Sequence, residues 1–243
     1  CIRSFFRLLY PALAAIEKEP SNSFLKMIKT NPQLCEDAET FARCLRKNPQ
    51  ASFDTFSSDI LNADAVFVTD ASGRDGAGGW GFVKQDKIQH KAFHLPWLPG
   101  WSQDDQDWSS TVQELVAILA VVKKWGTRCP CILVWSDSMC AVRALAKGWS
   151  KSRPVHELVR EILFTVATYG GCVRVAWHDR ESTPTAIIAD LLSHGDLQAA
   201  RKILPALNNI HLETISQTTI TTKLRTPHGM KIDQLHRQQQ QRD

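Results

Sequence analysis

The chain divides by the period of its apolar residues. Over residues 1 to 60 they recur at helical spacing. Phe5, Phe6, Leu8, Leu9, Leu13 and Ile16 make one face, Phe24, Leu25, Met27 and Ile28 begin a second, and Leu34, Ala38, Phe41 and Leu45 mark a third. Pro11, Pro20, Pro32 and Pro49 punctuate these segments. From residue 63 the period changes. Val66 to Val83 alternates as paired strands do, its first run ending on Asp70, with Gly73, Gly76, Gly78 and Gly79 placed to make the turn. Ile88 to Leu95 predicts a third strand. Thr111 to Gly126 predicts a helix whose broad apolar face is Val112, Leu115, Val116, Leu119, Val121 and Val122, with Glu114 in its first turn. Cys131 to Asp137 reads as a short strand that again ends on an acid, followed by a helix stopped at Gly148. Pro154 opens the next helix, which stops at Gly170. Cys172 to His178 alternates as a strand with Val173, Val175 and Trp177 on one face, and a last helix carries Asp190 and resumes at Leu197.

Antiparallel strands come first and strand–helix units later. That order predicts the α/β class, a mixed sheet with helices packed on it. The expected division is a helical segment over 1–60, a sheet-bearing domain over 61–207, and a polar tail over 208–243. The tail ends in a glutamine run and is expected to be disordered.

Composition adjusts this picture only slightly. A chain of 243 residues with eight tryptophans can bury a real core. The net charge of +4 permits a polyanionic partner without demanding one. Seven cysteines, odd in number and without framework spacing, read as reduced thiols with no disulfide partner, in a reducing intracellular compartment such as cytoplasm or nucleus. Cys129-Pro130-Cys131 is too tight and isolated to be half of a zinc site. No apolar run reaches the roughly 18 residues of a membrane span, so no membrane partner is expected. The opening stretch has arginines and an apolar run, but Pro11 interrupts it and no clear cleavage site follows. The first residue is Cys, and the expectation is a piece of a longer polypeptide.

The candidate chemistry lies in four acids that stand out by position. Asp70 and Asp137 each end an apolar strand, Glu114 opens a buried-looking helix, and Asp190 sits between apolar residues of the last one. Each has a plain explanation alone: a turn acid, a helix cap shared with Ser136 or Ser138, a macrodipole partner, a polar helix edge. As a set they point elsewhere. Neighbouring parallel strands put their C-terminal ends on one edge of a sheet, and carboxylates gathered there need a cation between them. Hard divalent ions suit such oxygen ligands, and a pair of them suits phosphodiester hydrolysis.

The motifs TDASGRDGAGGWG (Asp70), QELVAILAVV (Glu114), VWSDSMCAVRAL (Asp137) and WHDRESTPTAIIADLLSHG (Asp190) together resemble the ribonuclease H domain of retroelement reverse transcriptases, over residues 64 to 200. The closing piece, Arg180-Glu181 ahead of Ala189-Asp190-Leu191-Leu192-Ser193, is most similar to retrotransposon versions. The resemblance implies a ribonuclease H-like fold, a five-stranded mixed sheet flanked by helices, here with a helical N-terminal extension that would be the end of a polymerase thumb or a connection. It implies an endonuclease that hydrolyses the RNA strand of RNA–DNA hybrids with two Mg²⁺ ions, for which Mn²⁺ substitutes, beside the polymerase domain of the same polyprotein. Asp70 would be shared by both ions, with Glu114 and Asp137 on one side and Asp190 on the other.

The sequence departs from the family in two places. An Asn usual before the last helical acid is replaced by Thr or Ala within TPTAIIAD, and a loop His has only His178 as a counterpart, at a strand end. His178 is the proton-transfer candidate. Ser72 and Ser138, beside two of the acids, are substrate-contact candidates, as are Lys147, Trp149, Lys151 and Arg153 in a basic loop suited to phosphates. Two other readings stay open: an inactive module of this fold that binds hybrid or braces a polymerase, and a related nuclease or integrase acting on DNA.

Overall fold

The computed structural model describes residues 63–97, 109–180 and 183–216. The helical segment expected over 1–60, residues 98–108 and the chain beyond 216 lie outside the described residues. Strands β1 (Ala65–Ala71), β2 (Gly76–Lys84) and β3 (Ile88–Pro96) come first. Helix α1 (Ser110–Trp125), strand β4 (Cys131–Ser136), helices α2 (Met139–Lys147) and α3 (Arg153–Tyr169), and strand β5 (Cys172–Trp177) follow. Helices α4 (Pro184–Ser193) and α5 (Leu197–Ile203), a 3-10 turn at Pro205–Asn209 and strand β6 (Leu212–Thr214) complete the order.

The sheet runs β5-β4-β1-β2-β3-β6. Strand β2 is antiparallel to both neighbours, β4 and β5 run parallel to β1, and β6 runs parallel to β3. Five of the six strands therefore point one way. The C-terminal ends of β1, β4 and β5 share one edge, as an open sheet with α/β connections requires. The expected mixed sheet with flanking helices is present, with one strand more than the five expected. That strand, β6, lies within the stretch read as the start of the polar tail. It is only three residues long, too short for an alternating pattern to show.

Helix α1 is the centre of the core. Val112 through Val122 are buried without a break, so it is covered on all sides rather than along one stripe. Trp125 at its end stacks on Phe67 of β1, with ring centroids 4.3 Å apart, and tilts against Phe93 of β3 at 5.8 Å. Val155, Leu158, Val159 and Ile162 of α3 and Ala141 and Leu145 of α2 join the same cluster. Helices α4 and α5 cover the other face of the sheet, where Ile188, Leu192 and Ala200 pack with Ala92. Helices α2 and α3 end at Gly148 and Gly170 with φ of 65° and 73°, the left-handed conformation that glycine adopts without penalty. No helix among the described residues is long and apolar enough to cross a membrane.

The hairpin glycines have a different job from the one expected. The β1–β2 turn is Ser72–Asp75, so Gly73 is its only glycine, while Gly76, Gly78 and Gly79 lie in β2. Gly78 pairs with Asp70 across the ladder. A Cβ on it would collide with the backbone of Leu192 and Ser193. The missing side chain lets the end of α4 lie directly on β2, beside Asp70.

Candidate metal centre

Alternation along β1 sends Ala65 and Phe67 into the α1 core and Val66 to the opposite face. Asp70 follows the parity of Val66 and ends the strand 5% exposed. Asp137 comes directly after the last residue of the parallel neighbour β4. Glu114 rises from α1 below that edge, and its placement corrects the expectation. It is the fifth residue of the helix and no acid lies in the first turn, so the helix-dipole explanation falls. It is 6% exposed. The backbone N–H of Ala71 donates to Glu114 Oε1 at 3.1 Å, and the Ser136 hydroxyl donates to Oε2 at 3.3 Å. One carboxylate oxygen each from Asp70, Glu114 and Asp137 fall within 4.8 Å of one another.

Such a cluster is strained electrostatically. Burial, then the charges of Asp70 and Asp137, push the Glu114 carboxyl well above its ordinary range, against the two hydrogen bonds that lower it. Burial likewise raises Asp70, opposed first by the Ser193 hydroxyl and reinforced by the charge of Asp137. Three carboxylates at this separation share their site with protons or with a cation. A divalent ion with hard oxygen ligands fits the donor set, which offers neither sulfur nor imidazole. These three residues could hold such a divalent ion.

Asp190 does not join the close group. Its Oδ1 accepts from Arg180 Nη2 at 2.9 Å, and Arg180 Nε stands 3.7 Å from Asp137 Oδ2. The fourth acid therefore reaches the site through a guanidinium. Arg180 and Ser193 are the residues that sequence reasoning passed over. Both stand inside the closing motif, where their chemical type alone marks neither as a site residue. Ser193 is fully buried, with Oγ 2.8 Å from Asp70 Oδ2 and 2.7 Å from the Asp190 carbonyl oxygen. The available signal was its spacing: three residues after Asp190, it shares that helix face.

The remaining candidates are placed as follows. Ser138 caps α2, its hydroxyl accepting from Ala141 N–H at 3.3 Å, which leaves Asp137 free of that duty. Ser72 is buried and closes the hairpin turn: its hydroxyl donates to Asp75 Oδ2 at 3.1 Å and accepts from the N–H of Arg74 and Asp75. His178 donates from Nδ1 to the Asp179 carbonyl at 3.1 Å and is bonded to none of the four acids. Lys147, Lys151 and Arg153 are exposed and Trp149 half-buried in the α2–α3 connection. Helix α2 has nine residues, so that basic loop lies about 13 Å from Asp137 along the helix axis. Arg153 also pairs with Glu157 at 2.9 Å. Trp177 departs from its buried strand-mates Val173 and Val175: it is 45% exposed, and its Nε1 donates to the Asp137 carbonyl at 3.0 Å.

No family model matches the chain, and no curated protein matches it. Among solved structures it is similar to ribonuclease H1 of the halophilic archaeon Halobacterium salinarum, at 16% identity and a TM-score of 0.36, over 56% of this chain and 98% of that one. It is also similar to the N-terminal RNase H domain of a Mycobacterium tuberculosis protein, at 20% identity and a TM-score of 0.34, over 57% of this chain and 97% of that one. The strand order and registers define the fold without these overlaps, which say nothing of activity.

Proposed function

We propose that this chain is a ribonuclease H-type endonuclease that hydrolyses the RNA strand of RNA–DNA hybrids using two divalent cations, Mg²⁺ with Mn²⁺ as a substitute. The observation that carries the reading is the meeting of Asp70, Glu114 and Asp137 within 4.8 Å at the C-terminal edge of parallel strands, two of the three being buried. A carboxylate cluster that is costly for the metal-free fold is accounted for by the ion it would hold.

In this reading Asp70, Glu114 and Asp137 would hold one cation, and Asp70 with Asp190 would hold the other. Ser136 and the Ala71 amide fix the Glu114 carboxylate, and Ser193 fixes Asp70, so their oxygens are oriented before substrate arrives. Bound cations of this kind lower the pKa of a water and stabilise charge on the scissile phosphate. No side chain of the set needs to act as general base. A hybrid duplex offers phosphates and 2′-hydroxyls for recognition, and the exposed basic loop Lys147–Arg153 is the proposed phosphate-tracking element. The closing motif Arg180-Glu181…Ala189-Asp190-Leu191-Leu192-Ser193 supports a retroelement reverse transcriptase as the setting, with a polymerase domain as neighbour.

Incubating the full chain with a hybrid labelled on its RNA strand and Mg²⁺ tests the reading. RNA cleavage by the parent and none by Asp70→Asn is expected; equal cleavage by both rejects it. One observation favours a second reading, an inactive hybrid-binding or bracing module: Asp190 stands outside the close group. That reading expects no Mg²⁺-dependent stabilisation of the fold.

A further inference from the structure

The turn after β5 places a cation of the chain's own among the acids. Arg180 donates from Nη2 to Asp190 Oδ1 at 2.9 Å and holds Nε 3.7 Å from Asp137 Oδ2. Its guanidinium therefore bridges Asp137, at the end of β4, and Asp190 of α4. We propose that Arg180 is a built-in counter-ion that must release Asp190 before that acid can join Asp70 in holding a second divalent cation. The inference rests on the two-cation reading above.

Three features carry it. The charge is in the right place: one positive group serves two acids, one just after β4 and one in α4, that would otherwise repel. The contact is also releasable. The Arg180 side chain is 63% exposed, and its single hydrogen bond to Asp190 is an open ion pair rather than a buried two-pronged clamp. Finally, the backbone leading into the turn is anchored by hydrogen bonds, while the exposed side chain is held through ion pairs. Trp177 Nε1 donates to the Asp137 carbonyl, and His178 N–H donates to the Ser136 carbonyl at 3.2 Å. The guanidinium can therefore swing toward solvent without moving β5 or the close group. A guanidinium and a divalent ion compete for Asp190, because each is repelled by the other and both are drawn to its carboxylate.

Calorimetric titration of the full chain with Mn²⁺ alone, without nucleic acid, reads this directly. The parent is expected to bind two ions, the second more weakly. Arg180→Gln, which removes the charge and keeps a donor for Asp190, should tighten the second event about fivefold, the reach of an exposed ion pair, and leave the first within about twofold. Arg180→Lys keeps the charge and should stay near the parent. In an Asp190→Asn background the second event should be absent, and Arg180→Gln should then change nothing. An unchanged or weakened second event in Arg180→Gln overturns the counter-ion role. A single event in every variant also overturns it, while leaving the Asp70–Glu114–Asp137 site standing. Folded parent protein that binds no ion rejects the metal reading itself.

Discussion

Glu114 concentrates the conflict between stability and function in one residue. Its folded pKa stands above the ordinary 4.5, so between those two values the folded, cation-free protein carries a proton that the unfolded chain lacks. That contribution is fully present below pH 4.5 and is lost as pH rises through the folded value. Asp70, raised from 3.8, acts in the same direction. Each unit of elevation is worth about 1.4 kcal/mol once both states are ionised. Glu114→Gln should therefore stabilise the cation-free protein at pH 8 more than at pH 5, measured by denaturant unfolding in chelator, while abolishing cation-dependent cleavage. A variant less stable than the parent at pH 8 would contradict the account. Ser193→Ala removes the hydrogen bond to Asp70 but no ligand, and should lower cleavage about 10–100-fold with little effect on hybrid binding. The strand-end acids could be read from sequence because each closes an apolar run. Arg180 and Ser193 were not legible in the same way. Spacing puts Ser193 on the Asp190 face of its helix, but the Ser193–Asp70 bond joins residues far apart in the chain, and no local pattern names that partner.

Among the elements, the fit of α4 on β2 decides whether the last acid faces the site. Gly78 makes that fit possible because any side chain there meets the Leu192–Ser193 backbone. Gly78→Ala should destabilise the fold by about 1–3 kcal/mol, the usual cost of overpacking. It should also displace Ser193 and Asp190 together, so cleavage falls more than stability accounts for. Thermal melting and cleavage rate, compared for the same preparation, check this. The helices and strands themselves were readable from period and punctuation: Gly148, Gly170 and Pro154 stand at the helix ends as expected. The misreading of the hairpin had a physical cause. Glycine serves a tight turn and a close backbone approach equally well, and sequence alone does not separate the two uses. The placing of Glu114 in the first turn failed for a similar reason, because the helix starts at Ser110, ahead of its apolar pattern.

At the scale of the molecule, one reversed strand in an otherwise co-directional sheet sends three strand ends to a single edge, and the buried helix α1 lifts Glu114 to meet them. The far edge is closed by β6, whose neighbour Ile215 is buried in the main core and donates its N–H to the His94 carbonyl at 2.9 Å. Glu213 in β6 pairs with Lys124 of α1 at 2.7 Å. Truncation after His211 removes all of these contacts. It should lower the melting temperature by several degrees, since burying one such side chain is worth about 1.5–3 kcal/mol. A melting temperature equal to the parent's would show that β6 is dispensable. The central claim, a cation site built by three converging acids, is tested most directly by crystals of the chain grown with Mn²⁺ and measured at the manganese absorption edge. The account predicts an anomalous peak within bonding distance of carboxylate oxygens of Asp70, Glu114 and Asp137. Well-ordered carboxylates with no peak among them would contradict it.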